Sequence, residues 1–279
     1  MMNQSVTNYL TVDVEDYFQV AAFENVIYPE NWGRYECRVV ANTQAVLRLF
    51  AAHKVQTTFF IVGWIAERYP DLVREIARHG HEIGCHSYSH QKIYNLTPEE
   101  FRADTRKAKD ILEQITGCPV YGYRAPSYSI TEKSLWALGI LAELGFTYDS
   151  SIFPVHHDNY GIPDAPRYPY RLEKYEMMEY PISTLRLFGQ NLPIAGGGYF
   201  RFFPYWFTRK ALMRINRSER QPFIFYFHPW EIDPGQPRVR GAGAKSRFRH
   251  YLNLGKTMDR LKRLLNDFSF QPVRTVNCN

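Results

Sequence analysis

Between residues 9 and 150, short β-type runs alternate with stretches whose apolar residues recur at helical spacing, and this alternation constrains the fold more than any other feature. Tyr9-Leu10-Thr11-Val12-Asp13-Val14 reads as a first strand running into an acidic end. Ala45, Val46, Leu49 and Phe50 mark a helix over 42–53. Thr57-Thr58-Phe59-Phe60-Ile61-Val62 has the nearly unbroken apolar character of a strand buried on both faces. A helix over 70–79, stopped by Gly80, leads to the strand Glu82-Ile83-Gly84-Cys85. Thr97-Pro98-Glu99-Glu100 then offers an N-cap threonine, a proline at the first helical position and a returning glutamate at the third. That helix is expected to run to about 115 and end at Gly117, before a strand at 121–124 and a helix over 131–144 closed by Gly145. Such alternation builds a parallel α/β sheet or barrel.

Beyond residue 150 the pattern loosens. The stretch 152–175, rich in Pro, His, Tyr and Asp, reads as a long functional loop, and Gly196-Gly197-Gly198 as a backbone-dominated one. A helix near 205–215, a strand at 223–227 and a closing helix over 248–268 are expected. Neither a repeat nor a linker divides the 279 residues, so a single domain is expected.

The net charge of +6 is dispersed, with a mild basic concentration over 238–263. It carries no nucleic-acid-binding motif and reads as a solvated face, with an acidic glycan or a membrane surface as the alternative contact. Cys37, Cys85, Cys118 and Cys278 form no CxxC pair and suggest neither a zinc knot nor a disulfide framework. The N-terminus lacks a basic or apolar leader, and no run approaches about 20 apolar residues, which sets a cytoplasmic, soluble expectation. Aromatic residues reach 16%, enough for an aromatic core, a sugar-stacking cleft, or both.

Polar residues fall where expected strands end, the rim at which parallel α/β folds gather ligand-handling groups. Asp13, Glu15 and Asp16 follow the first strand, and His86-Ser87-Tyr88-Ser89-His90 follows 82–85. Arg124-Ala125-Pro126-Ser127 and His228-Pro229-Trp230-Glu231 end two others. His86 and His90, four apart, would share the face of a helical turn. With one carboxylate they form a common ligand set for a hydrolytic metal with open positions. A second carboxylate could act as general base with Arg124 as its partner. His228 is the expected general acid, oriented by Asp149. Tyr128, Tyr199 and Trp230 are candidate groove walls, with core packing as the competing reading.

Five ordered elements resemble the polysaccharide deacetylases with the NodB homology domain (carbohydrate esterase family 4). They are Thr11-Val12-Asp13-Val14-Glu15-Asp16, His86-Ser87-Tyr88-Ser89-His90, Arg124-Ala125-Pro126-Ser127, Tyr148-Asp149-Ser150-Ser151 and Phe227-His228-Pro229. The text looks most similar to an exopolysaccharide-locus branch with a C-terminal extension. The resemblance implies a distorted (β/α) barrel of about seven parallel strands, with a core of about 9–230 and an extension of about 231–279 packed on it. It also implies a divalent metal, zinc first and cobalt, nickel or manganese as alternatives, and removal of acetyl groups from an N-acetylated glycan. The family usually presents two adjacent aspartates before a glycine, whereas this chain has Asp-Val-Glu-Asp-Tyr. One register makes Glu15 the base and Asp16 the ligand; the other makes Asp13 the base, with Glu15 able to bind metal. Alternation along a strand puts Asp13 and Glu15 on one face. The favoured assignment is Asp13 as base and Asp16 as ligand, with Glu15 held in reserve for either role. An allantoinase-like amide hydrolase and a silent glycan-binding module are the rival readings.

Overall fold

A computed structural model of the chain describes residues 6–157 and 160–275; Cys278 lies outside them. Eleven strands are found among the described residues: β1 (Thr7–Val14), β2 (Thr58–Ile61), β3 (Glu82–Cys85), β4 (Gly122–Tyr123), β5 (Tyr148–Asp149), β6 (Tyr170–Leu172), β7 (Met177–Glu179), β8 (Thr184–Leu187), β9 (Gln190–Pro193), β10 (Ile224–Phe227) and β11 (Ser269–Gln271). Seven of them run parallel in the order β10-β1-β2-β3-β4-β5-β7 and curl into a distorted barrel. Antiparallel β6 extends one end, β11 pairs with the start of β1, and β8–β9 form a separate hairpin.

The seam between β7 and β10 is closed by irregular backbone. Ser183 N donates to Ile224 O (3.4 Å) and Tyr226 N to Ala195 O (3.2 Å), beside a parallel bridge between Gly196 and Tyr226. Gly196 has φ +128, and a Cβ there would sit 1.9 Å from the Tyr226 carbonyl, so only glycine permits this approach.

Nine helices are described: α1 (Val39–His53), α2 (Gly63–Arg68), α3 (Pro70–Arg78), α4 (Pro98–Thr116), α5 (Trp136–Glu143), α6 (Gly197–Phe202), α7 (Tyr205–Arg217), α8 (Ala244–Tyr251) and α9 (Leu254–Asp267). Helix α4 begins with the expected capping box between Thr97 and Glu100 and ends on Gly117 at φ 70. The expected closing helix is two, because Asn253 adopts φ 53 between α8 and α9. The triple-glycine segment opens α6 rather than forming a loop alone.

Strand alternation separates the core from the site. Leu10, Val12 and Val14 of β1 enter the main apolar cluster with residues from the helices, whereas Thr11 and Asp13 turn inward to Arg124. Below, the C-terminal tail seals the barrel: Val273 N donates to Thr58 Oγ1 (2.8 Å) and Arg274 N to Glu82 Oε2 (2.9 Å). Cys37 and Cys85 are free thiols, while Cys118 is disulfide-bonded, which its distance from the other cysteines in the sequence did not announce. No helix among the described residues is long and apolar enough to cross a membrane.

Candidate active site and metal centre

The site forms where β1, β3, β4 and β10 end. Val12 pairs with Phe227 and Ile61 with Cys85, so Asp13, His228 and His86 emerge at neighbouring heights on the rim. Glu15 follows in a tight turn, its N–H donating to Asp13 O (3.1 Å).

His86 and His90 lie in a loop, not on the helical turn expected from their spacing. Ser87 (φ 58) and His90 (φ 53) are left-handed, a conformation that costs non-glycine residues energy and needs support from outside. Asp104 of α4 gives it: its carboxylate accepts from Tyr88 N (2.7 Å) and Ser89 N (2.9 Å). Ser87 Oγ accepts from His90 N (2.9 Å), and α2 closes on the loop through Gly63 N to Ser87 O (2.8 Å). The two imidazole centroids are thereby 5.0 Å apart.

One ligand atom each from Glu15, His86 and His90 lies within 4.8 Å of the other two. His86 Nδ1 is 2.7 Å from the Arg124 carbonyl, which can only accept, so the proton sits on Nδ1 and the Nε2 lone pair is free. Burial pushes His86 down to about 4, keeping the ring neutral as a ligand must be. Burial opposes the charge on Glu15, but His90, His228 and His86 outweigh it and hold the carboxyl well below the usual carboxylate range. Glu15 Oε1 accepts from Trp230 Nε1 (3.1 Å). Glu15 Oε2 is buried without a hydrogen-bond partner, although His90 Nε2 is only 2.8 Å away. An anionic oxygen and two imidazole nitrogens converging this way, with one oxygen orphaned, fit a divalent cation by donor type and number.

Asp16, the expected ligand, is not in this cluster. Its Oδ2 accepts from Arg38 N (2.6 Å) and Val39 N (2.9 Å), and its Oδ1 from Tyr17 N (2.8 Å), so it caps the start of α1. The turn at Glu15 carries the next acid away from the cluster and onto the α1 amides. Asp16→Ala should therefore cost roughly 2 kcal/mol of stability, by leaving those amides unpaired, while leaving metal stoichiometry intact. Thermal denaturation and metal titration of one preparation check both.

Beside the cluster, Arg124 is wholly buried. It donates to Asp13 Oδ1 and Thr11 Oγ1 (both 2.7 Å) and to Ser150 Oγ (2.7 Å), which fixes the Asp13 carboxylate. Asp13 Oδ2 lies 4.0 Å from His228 Nε2, so base and acid candidates flank the same space. His228 Nε2 is 3.3 Å from Glu15 Oε1, and its Nδ1 is 3.1 Å from Glu231 Oε2. Burial resists its protonation, but Glu15, Glu231 and Asp13 lift it to about 9.

Glu231, not Asp149, is the partner of His228. Burial would raise Glu231, yet Arg201 and His228 bring it to about 2, and Arg201 Nε donates to Glu231 Oε1 at 2.6 Å. Arg201 is itself anchored on the carbonyls of Arg249, His250 and Leu252 before and at the α8–α9 break. Sequence reasoning missed Glu231, although a glutamate three residues into a turn that returns to its N-cap is a readable signal. Asp149 accepts instead from Ser151 Oγ and packs against Glu179, where burial pushes both carboxyls up so that the pair holds a proton. Trp230 and Tyr128, expected as groove walls, are 5% and 6% exposed. Trp230 stacks between His228 and His250 while binding Glu15, and Tyr128 packs on Phe153 and Tyr226. Tyr199 is half-buried, its hydroxyl 3.1 Å from that of Tyr160.

The model of the polysaccharide deacetylase family matches residues 32–148, and a domain of unknown function (DUF3473) matches 150–277. Residues 32–148 are thus similar to the polysaccharide deacetylase family. Over 96 residues it is 36% identical to a peptidoglycan-N-acetylglucosamine deacetylase of Bacillus cereus, covering 34% of this chain and 35% of that protein. It is 34% identical over 85 residues to a chitooligosaccharide deacetylase of Azorhizobium caulinodans, covering 30% and 40%. The matched stretches thus span little more than a third of these relatives. The fold as a whole is similar to the crystal structure of a candidate polysaccharide deacetylase from Mycobacterium smegmatis (TM-score 0.57, 20% identity, 100% of this chain and 96% of that one). His86, His90 and Arg124 fall inside the deacetylase match, whereas His228, Glu231 and Arg201 fall inside the second.

Proposed function

We propose that this chain is a metal-dependent hydrolase that removes N-acetyl groups from an amino-sugar glycan, with Glu15, His86 and His90 as the protein ligands of the metal. The observation that supports this reading is the convergence of one ligand atom each from Glu15, His86 and His90 within 4.8 Å, with Asp13 and His228 beside them. A divalent cation there would polarise the acetamide carbonyl and acidify a water. Asp13, fixed by Arg124, takes the proton of the attacking water. His228, kept cationic by its carboxylate neighbours, gives a proton to the departing amine nitrogen. Glu231 holds the His228 ring through Nδ1, leaving Nε2 as the atom that delivers the proton.

The similarity to deacetylases of peptidoglycan and chitooligosaccharides supports an N-acetylglucosamine-type substrate. The exopolysaccharide setting belongs to the same proposal and rests on the likeness to the branch with a C-terminal extension. The direct test is acetate release from N-acetylglucosamine oligomers by the zinc-loaded chain. Hydrolysis of small cyclic amides without acetate release would sink the reading in favour of the allantoinase-like one.

The proposed acid makes a pH prediction. Because the carboxylates raise His228 above its ordinary 6.5, the acid form persists through neutrality and is lost as pH rises toward about 9. Glu231→Gln removes one of those charges, so the alkaline limb of kcat/KM should move to lower pH by about 1 unit.

A further inference from the structure

We infer that the outward face of α6 and α7 docks on an anionic lipid bilayer, with Phe202 and Trp206 entering the headgroup layer and Lys210, Arg214 and Arg217 meeting its phosphates. The inference concerns the surface at which the chain works, and stands apart from the reading of the reaction.

Tyr205, Thr208, Ala211, Leu212 and Ile215 of α7 are buried and attach the helix to the body of the fold. Opposite them, Trp206, Lys210, Arg214 and Arg217 recur at helical spacing and fall within an arc of about 80°. All four are exposed. Phe202, just before the helix, is joined to Trp206 by a run of ring contacts: Phe202–Phe203 at 5.2 Å, Phe203–Phe207 at 4.9 Å and Phe207–Trp206 at 6.0 Å. The two outer rings are each 60% exposed, so the patch presents aromatic surface outward.

The charge beside these rings is of one sign. Residues 180–218, which include all of α7, contain no Asp or Glu. Arg209 pairs with Asp267 at 3.0 Å, whereas Lys210, Arg214 and Arg217 have no carboxylate partner among the described residues. Helix α4 shows the usual mixture, with Glu99, Asp110 and Glu113 among Arg106, Lys107 and Lys109. Helix α8 repeats the pattern of α7. It meets α6 where Arg201 Nη1 donates to the Arg249 and His250 carbonyls (3.0 and 2.8 Å), residues 234–258 contain no acid, and Phe248 is 62% exposed.

Exposed rings beside uncompensated cations match what an anionic bilayer offers. Aromatic side chains lodge at headgroup level, and each lysine or arginine near the surface adds attraction. Two-fold pairing with a second copy would set the cations of one chain against those of the other. A soluble acidic glycan would pair with the cations but offer the rings no apolar layer.

The test sediments the full chain with vesicles of phosphatidylcholine, alone or with an equal part of phosphatidylglycerol. We expect binding to the mixed vesicles only, weakening as salt rises. Lys210→Gln/Arg214→Gln/Arg217→Gln should weaken it about fivefold per charge removed, roughly a hundredfold together. Phe202→Ser/Trp206→Ser should weaken it about tenfold. Arg74→Gln/Arg78→Gln/Arg106→Gln removes equal charge from α3 and α4 and should leave binding within about twofold of the parent. All the substituted side chains except none are exposed, so the melting temperature of each variant should stay near the parental value. No binding to mixed vesicles, or equal losses in the two charge triples, would overturn the inference. Loss with the α7 charges but not with the rings would also overturn it, and point to a soluble polyanion as the occupant.

Discussion

Alanine at His86, His90 or Glu15 is expected to abolish tight zinc binding and, with it, acetate release. Each change removes one of the three proposed ligands, and a two-ligand remainder does not make a hydrolytic site. The three should differ in their side effects. His86→Ala also frees the Arg124 carbonyl, and so should disturb the positioning of Asp13 even at saturating metal. His90→Ala keeps the left-handed backbone, because alanine also carries a Cβ, and removes the contact with Glu15 Oε2. Glu15→Ala removes one of the three carboxylates that together outweigh burial at His228, so the His228 ring should titrate lower than in the parent. Metal content after dialysis, beside the melting temperature, separates lost ligands from lost fold. A Glu15→Ala variant that binds zinc as tightly as the parent would contradict the ligand assignment.

Asp13→Asn and His228→Ala are each expected to lower kcat by about 10²–10⁴, the range for losing a positioned proton carrier, while metal affinity stays near the parental value. Asparagine still accepts from Arg124 through its remaining oxygen, so the Asp13 variant tests proton transfer rather than folding. The two should not add in the double variant if they serve one proton path. The Asp13–His228 gap of 4.0 Å leaves them close enough to couple electrostatically, so Asp13→Asn should also move the alkaline limb assigned to His228 to lower pH. Unchanged kcat in either variant would remove that residue from the mechanism.

Much of this arrangement was legible in the residues. The capping box at Thr97, the apolar strand around Phe59 and the polar residues at strand ends all follow from local chemistry, and the structure keeps them. Alternation had put Asp13 and Glu15 on one face, and they do converge. The preference for Asp16 relied on a bend at the strand end; the chain does turn at Glu15, but Asp16 then meets the α1 amides. The histidine spacing suggested a helical turn; the actual vehicle is a loop whose left-handed Ser87 and His90 carry no signature without glycine or asparagine. Asp149 lost its expected role to Glu231 because the choice turned on where an acid ends a strand, whereas the outcome turned on which acid the buried Arg201 holds in place. Strands β6 to β9 went unread, since 3- and 4-residue segments among prolines and tyrosines give too little periodicity.

The second half of the chain is therefore part of the site rather than an attachment to it. Trp230 holds Glu15, Glu231 holds His228, and Arg201 ties both to the α8–α9 turn. A truncation before residue 240 would remove the carbonyls that Arg201 grips and should disorder the acid while sparing both histidines.

A crystal structure of the chain soaked with zinc tests the central claim most directly. The account predicts one ion with Glu15, His86 and His90 as its protein ligands, and with Asp16 still bound to the Arg38 and Val39 amides. An ion held by Asp16, or density at neither histidine at saturating zinc, would contradict it.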